Sequence, residues 1–337
     1  MISGMQPSAP PARRLPALEP TVVLRHGEPE FSDQFGARDV WVFESAGVYH
    51  LHYDAAGEDG WLAALATSAD GVEWTKHGPV LELGEPGEPD SASASYGTTY
   101  FDGEQFHLFY LGTPNVTDDY LKTPSFPYRT LKAVADGPRG PWRKQPAVVP
   151  FEVVAGSWYS ETASPGAIVA QDNEYVMLFS AACTDADGQI WRTLGVARST
   201  DLNTSWTVDP EPLLPITEQI ENSSLYFDEP SGRWLLFTNH IAVDPDAAPV
   251  PPQNSQEYTD AIWMYWSTDP TKFDPADKAV VVDAESSGWS PKVIGLPSVL
   301  RIGDRLAIYF DGSTTDDIGH GHRDVGLAWL DLPIVLP

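Results

Sequence analysis

One cysteine, Cys183, stands in 337 residues. A lone thiol excludes an internal disulfide and any cysteine-based zinc site. Basic side chains are scarce too: 20 Lys and Arg face 48 Asp and Glu, a formal net charge of −28. That balance argues against nucleic acid and anionic membrane surfaces as partners. No run is apolar enough to span a membrane. The first 20 residues, MISGMQPSAPPARRLPALEP, are proline-rich and lack a signal-peptide hydrophobic core. Residues 1–20 therefore read as a flexible arm, and the chain as given is expected to be cytoplasmic.

What the chain does have is aromatic and repetitive. Twelve Trp, 13 Tyr and 13 Phe suit strands and offer rings that stack on sugars. Five segments follow one plan of apolar strand, short turn and aromatic strand: VWVFESAGVYHLHYD, TTYFDGEQFHLFYLG, AIVAQDNEYVMLFSA, SLYFDEPSGRWLLFTN and SVLRIGDRLAIYFDG. A variable excursion follows each, and then a third strand, such as WLAALATSADGVEW or TLGVARSTDLNTSW. Short apolar pieces (PVLEL, AVVPF, PLLPI and AVVVD) read as fourth strands. The period is roughly 60–70 residues, longer than a common propeller repeat because of the excursions. Five four-stranded antiparallel units predict an all-β fold, a five-bladed β-propeller spanning residues 21–337 as one domain. The fifth repeat lacks a fourth strand, and TVVLRHG at 21–27 can supply it. An N-terminal strand would then close the last blade and suppress an exposed edge.

In such a blade the turns between strands 1 and 2 open on one face, and the excursions between strands 2 and 3 open on the other. The turns are uniformly short and the excursions long, which marks the excursion face for binding. The same face holds the starts of the innermost strands. There the sequence places Arg38 and Asp39, then Asp90 and Tyr96, then Glu161, then Glu221. Carboxylates converging on one funnel raise one another's proton affinity, so one can stay protonated beside an ionised neighbour. That pairing is what glycoside cleavage requires. Polar and aromatic residues near the same face, Trp158, Tyr159, Asn239, His240, Asp260, His320, His322 and Arg323, are candidates for substrate contacts. The His320–Gly–His322 motif has metal-ligand residue types, but zinc needs three or four ligands and no set pairs with it. It reads as a polar loop.

With strand-entry acids in repeats 1, 3 and 4, the chain resembles the superfamily of glycoside hydrolase families 43 and 32. The likeness covers nearly everything from residue 21. It implies Glu221, in ENSSLYF, as general acid, where Asn222 and Ser223 stand in place of the usual Gly-Pro. It implies Asp39, in RDVWVF, as general base or nucleophile, followed here by Val40 rather than proline. The third acid, which tunes the general acid, falls near TASPGAIV, with Ser164 in register and Glu161 three residues earlier; Glu161 is the candidate. The implied activity is an exo-acting glycosidase on an oligosaccharide or small glycoside. No cofactor is expected, although a central channel could hold a calcium or sodium ion. Two alternatives stay open. One is a phosphorylase, with Arg38, Arg192 and Arg323 as the phosphate-lining residues. The other is a non-catalytic carbohydrate-binding propeller. The oligomeric state is left open.

Overall fold

The computed structural model describes residues 5–148, 150–246 and 256–337. Among these residues there are 20 strands and one four-residue helix, α1 (Ala284–Ser287). After β1 (Leu18–Leu24) come four antiparallel strands, β2 (Gly36–Ser45), β3 (Val48–Gly57), β4 (Gly60–Ser68) and β5 (Thr75–Pro79). A second unit holds β6 (Ser93–Phe101), β7 (Phe106–Thr113), β8 (Arg129–Ala135) and β9 (Arg143–Lys144). A third holds β10 (Thr162–Gln171), β11 (Glu174–Thr184), β12 (Ile190–Ser199) and β13 (Thr207–Val208). A fourth holds β14 (Ile220–Asp228), β15 (Arg233–Val243), β16 (Glu257–Ser267) and β17 (Lys278–Asp283). The last holds β18 (Ser298–Ile302), β19 (Arg305–Gly312) and β20 (Asp324–Asp331), with β1 hydrogen-bonded outside β20. The first two units merge where Trp61 and Leu62 run parallel to Ser93 and Ala94. Four-stranded antiparallel sheets of this kind fit a propeller.

The strands form where the sequence is richest in β-branched and aromatic residues. FHLFYLGT in β7 is buried along its whole length, as expected for a strand covered on both faces by neighbouring sheets. The innermost strands lie side by side: β2 against β6, β6 against β10, β10 against β14, β14 against β18, and β18 against β2. Serine hydroxyls link them. Ser298 Oγ accepts the amide of Val42, Ser224 Oγ that of Val299 and Ser223 Oγ that of Ala167. Backbones come very close here: a Cβ on Gly166 would sit 1.8 Å from the Leu178 carbonyl oxygen.

Two expectations change. The apolar pieces PVLEL, PLLPI and AVVPF are not the outer strands, and Val149 of the last lies outside the described residues. The outer strands β5, β9 and β13 begin earlier, at or just after the Trp that ends each third-strand turn. The prolines in those apolar pieces remove ladder donors, so they cross between units with isolated bonds such as Val80 N–H to Ala63 O, 2.8 Å. Of the segment read as a flexible arm, residues 13–17 are docked, and residues 1–4 lie outside the described residues. Leu15 and Ala17 donate backbone bonds to Val280 and Val281 of β17, 2.8 and 2.9 Å. Ala17 is buried in the core between the fourth and last units, and Arg14 pairs with Asp283 at 2.6 Å. Proline removes donors but leaves carbonyls and apolar surface, which is enough to dock. Part of the fourth repeat's excursion, residues 247–255, lies outside the described residues.

Acids that precede inner strands recur as staples. Asp33 accepts Lys76 at 2.7 Å and the Tyr53 hydroxyl at 3.3 Å. Asp90 accepts Lys144 at 2.6 Å and the Tyr110 hydroxyl at 2.8 Å. Glu218 accepts Lys278 at 2.5 Å and the Tyr265 hydroxyl at 2.6 Å. In each case the lysine comes from an outer strand, β5, β9 or β17, so the staple ties the connection entering a unit to that unit's edge. All three acids are buried, where a lone carboxylate would be costly. Replacing Asp90 with Ala should lower stability by about 3 kcal/mol, the low end for breaking a buried pair, and leave sugar affinity unchanged. Urea unfolding and ligand titration of the same variant check both halves.

His52 of β3 is fully buried. Its Nδ1 pairs with Thr99 Oγ1 at 2.9 Å, and burial pulls its pKa down to about 3. The unfolded chain protonates it near 6.5, so between those values the unfolded state binds the extra proton and stability falls as pH falls. The slope is about 1.4 kcal/mol per pH unit for one such group. Unfolding curves at neutral and mildly acid pH should show this loss in the wild type and a smaller loss in His52→Gln.

Candidate functional site

Four inner strands break register near their starts: β2 between Arg38 and Trp41, β6 between Ala94 and Gly97, β10 between Ser164 and Ala167, and β14 between Glu221 and Ser224. In each, two residues face one partner, a β-bulge, which re-aims side chains and strengthens the twist. Asp39 and Asn222 sit in two of these bulges with φ of +48° and +59°. Asp and Asn tolerate this left-handed region better than other side chains. The sequence therefore carries bulge formers where the strands must turn their edges into a common space.

That space is a cleft open to solvent. Its walls include Arg38, Asp39, Asp54, Tyr96, Ser164, Arg192, Glu221, Asn222, Glu257, His320 and Arg323. Asp39 and Glu221 thus share one cleft.

The wall around Asp39 is a chain of buried charges. Arg38 Nε donates to Asp39 Oδ2 at 2.8 Å and Nη2 to Oδ1 at 3.2 Å. The Asp39 amide donates to Asp311 Oδ1 at 3.0 Å, and Arg323 Nη1 donates to Asp311 Oδ2 at 2.9 Å. Burial pushes the Asp39 carboxyl upward and Arg38 pulls it back. Burial works against the Arg38 charge, but Asp39, Asp311 and Asp54 more than offset it. Gly295 is obligatory beside this chain, because a Cβ there would lie 2.2 Å from both Asp311 oxygens.

His320 Nδ1 lies 2.6 Å from Arg38 Nη1. A guanidinium only donates, so Nδ1 accepts and the ring proton sits on Nε2. Burial and then Arg38, Arg323 and Arg192 hold the ring well below its ordinary pKa, so it lines the cleft as a neutral donor.

Glu221 lines the same cleft. Its Oε1 accepts Asn239 Nδ2 at 3.3 Å, and its Oε2 lies 3.4 Å from Arg192 Nε. Arg192 is held more tightly by Glu257, at 2.5 Å. Asn222 ties the walls together: its Oδ1 accepts the Tyr96 hydroxyl at 2.8 Å and its Nδ2 donates to Asn239 Oδ1 at 3.0 Å. Burial raises the Tyr96 hydroxyl far above its ordinary pKa, and Asp39, Glu221 and Asp54 add to this. One phenol therefore feels all three carboxyls.

Of the residues singled out from sequence, Asp39, Tyr96, Glu221, His320 and Arg323 line the cleft. Glu161 does not. Its backbone bonds Tyr128 and Ala182, while Ser164, three residues on, is in the wall. Asp90 is the staple described above. Trp158 stacks on Phe179 and donates to the Pro210 carbonyl, and Tyr159 packs on the same Phe. His240 stacks on Trp263 with centroids 4.0 Å apart and pairs with Asp260 at 2.7 Å. His322 meets the Tyr120 hydroxyl, at 3.2 Å, and the His26 ring, with centroids 5.7 Å apart. Asn239 is fully buried behind Glu221. Sequence reasoning missed Asp54 and Glu257. Asp54 had a signal: the second strands of repeats 1, 4 and 5 carry a polar residue after the apolar run at matching positions, Asp54 in HLHYD, Asn239 in LLFTN and Asp311 in AIYFD. Among the described residues no group of three or more His, Cys, Asp or Glu is placed to hold a metal ion.

The 114–128 connection of the second unit crosses toward the first and last units. Leu121 O accepts Trp61 Nε1 at 2.7 Å, Lys122 Nζ donates to Glu58 O at 2.5 Å, and Tyr120 packs edge-on against Phe35. Thr123, Pro124, Phe126 and Tyr128 of this connection line the cleft.

No family model matches the chain, and no curated protein does. Solved structures do match. The chain is similar to a thermostable family-43 glycoside hydrolase at TM-score 0.63 and 15% identity, over 90% of this chain and 95% of the other. It is similar to the catalytic domain of a family-62 α-L-arabinofuranosidase from Coprinopsis cinerea at TM-score 0.61 and 11% identity, over 95% and 98%. A third match, at TM-score 0.59 and 14% identity over 99% and 97%, comes from family 130, mannoside phosphorylases that include hydrolases targeting β-1,2-mannosidic linkages in Candida mannan. The chain has the fold of these glycoside-cleaving propellers.

Removing Asp311 should expose how far the buried charges depend on one another. Asp311→Leu leaves Arg323, 1% exposed, without its counter-ion and should cost about 3–5 kcal/mol. Adding Arg323→Met should recover most of that, because replacing both members of a buried pair is often near neutral. A double-mutant cycle in urea reads the coupling.

Proposed function

We propose that the chain is a glycoside hydrolase built on a closed five-bladed propeller, with β1 completing the last blade and residues 21–337 as the catalytic domain. The contact of β18 with β2 and the pairing of β1 with β20 support closure. The observation that carries the activity is the meeting of Asp39 and Glu221 in one cleft. Glu221 is the general acid that protonates the leaving oxygen. Arg192 sits closer to Glu257, at 2.5 Å, than to Glu221, at 3.4 Å, so Glu221 is the less tightly held of the two acids. Asp39 is the base on water, or the nucleophile. Tyr96, His320 and Arg323 contact the sugar. The 114–128 connection walls the cleft on the side of the first and second blades, which favours exo action on a chain end.

Arg38, Arg192 and Arg323 all line the cleft, as a phosphorylase would need. Each is already tied to carboxylate: Arg38 to Asp39, Arg192 to Glu257 and Glu221, Arg323 to Asp311. A phosphate would have to displace one of these, so hydrolysis is the better-supported reaction.

Glu221→Gln and Asp39→Asn should each lower kcat on the responsive glycoside by about 10²–10⁴-fold, the usual worth of a general acid or base, with sugar affinity retained. A panel of oligosaccharides, assayed with and without phosphate, reads this directly. Full turnover in either variant removes that residue from its role. Phosphate-dependent release of a sugar phosphate favours the phosphorylase, and binding without turnover by the wild type favours a carbohydrate-binding propeller.

A further inference from the structure

Glu161 leaves the position of third acid empty, but another carboxyl stands beside Asp39. Asp54 lies directly across the β2–β3 ladder from Arg38, and the bulge at Asp39 and Val40 turns Asp39 onto the same group. Asp54 is 2% exposed. Its Oδ1 accepts the amide of Tyr96, and its carboxyl shares the cleft wall with that of Asp39, beside the Arg38 that grips Asp39. Two carboxylates have no hydrogen to share, so a bond between them requires a proton on one.

Local charge decides which one. Arg38 grips both oxygens of Asp39, and the Asp39 amide is anchored on Asp311. The groups facing the pair are Arg38 from β2, Tyr96 from β6, Asp311 from β19, and Arg323 and His320 from the approach to β20. Two guanidinium charges balance the carboxylates of Asp39 and Asp311, and His320 is neutral. An ionised Asp54 would be an unbalanced charge in a buried place.

We infer that Asp54 is a positioning residue of this cleft: a neutral carboxylic acid that donates its proton to the Asp39 carboxylate and aims it at the substrate. This rests on the reading of Asp39 as base or nucleophile given above; the protonation of Asp54 itself does not. Burial raises the Asp54 carboxyl far above the usual range, and Asp39 adds to it, against Arg38 and the Tyr96 amide. The bond keeps Asp39 ionised, since donation to a carboxylate favours its charged form.

Infrared difference spectra at pH 7 test the proton without any substrate. The wild type should show a carboxylic-acid C=O band that disappears in Asp54→Asn. It should also disappear in Asp39→Asn, where loss of the neighbouring charge lets Asp54 ionise against Arg38. Absence of that band from the difference between wild type and Asp54→Asn overturns the proposal, whether or not the protein cleaves glycosides. The pH profile of turnover then tests positioning. Asp54→Asn keeps a donor on Asp39, so its acid limb should stay in place even as the plateau drops. Asp54→Leu removes the donor, and its acid limb should move to higher pH by about one unit. A downward move in Asp54→Asn would mean that an ionised group had been removed, and equal losses in both variants with no move would mean a merely structural role. Either result overturns the inference, and the spectra on Asp54→Asn stand even if Asp54→Leu fails to fold.

Discussion

Two arginines buried at the joint between the first and last units cannot be left without counter-charge. Arg38 and Arg323 are both buried, and the carboxylates that neutralise them come from different sheets: Asp39 from β2 and Asp311 from β19. Since the Asp39 amide also rests on Asp311, the inner strand of the first unit is held by the second strand of the last. Nearby, the chain's N-terminal strand is fastened to the same unit: Asp324 accepts Arg25 at 3.1 Å and His26 at 2.7 Å. The ends of the chain and the wall of the cleft are therefore secured by one set of ion pairs. Removing Asp39 or Asp311 costs more than its own contact, because a buried arginine is stranded.

The bulges convert that framework into a site. A regular strand would alternate its side chains and leave Arg38 and Asp39 on opposite faces. The inserted residue breaks the alternation, so Arg38, Asp39 and Asp54 meet on one side. The same device in β14 brings Glu221 to the cleft and Asn222 to Tyr96 and Asn239. Asn222 stands where the resembling families carry glycine. Asn222 accepts the left-handed backbone of this bulge, and its amide links Tyr96 to Asn239.

The repeat plan was legible because strand and turn chemistry are local. Apolar alternation and tight polar turns such as Asp172–Asn173 do not depend on distant partners. The outer strands are not legible from apolar character, because the ladder is set by backbone donors that PLLPI and PVLEL partly lack. Among the site residues, Asp39, Tyr96, Glu221, His320 and Arg323 were legible from the strand-entry and excursion rule. Trp158, His240 and Asp90 obey the same rule and yet sit elsewhere, because a rule of topology gives the end of the sheet and not the direction of the side chain. Their directions are set by tertiary partners far away in sequence: Phe179, Trp263 and Lys144.

A sharper rule follows from which cation holds each acid. Asp33, Asp90 and Glu218 are held by lysines from outer strands and by tyrosine hydroxyls, and they staple loops to edges. Asp39, Glu221, Glu257 and Asp311 are held by arginines, and all but Asp311 line the cleft directly. The division has a physical basis. Lysine is a point charge on a flexible stem, suited to closing a staple from a distance, and it neutralises one carboxylate well. Arginine offers five donors in a planar fork, so it can fix a carboxylate's orientation and still reach a second group, as Arg38 reaches His320 and Arg192 spans Glu221 and Glu257. A cleft that must hold several acids close together and correctly aimed needs the second kind of cation. In a chain with 48 acidic residues and only 20 Lys and Arg, Arg38 and Arg192 hold three of the acids that line the cleft, Asp39, Glu221 and Glu257, while other arginines pair with acids elsewhere, as Arg14 does with Asp283 and Arg198 with Asp209.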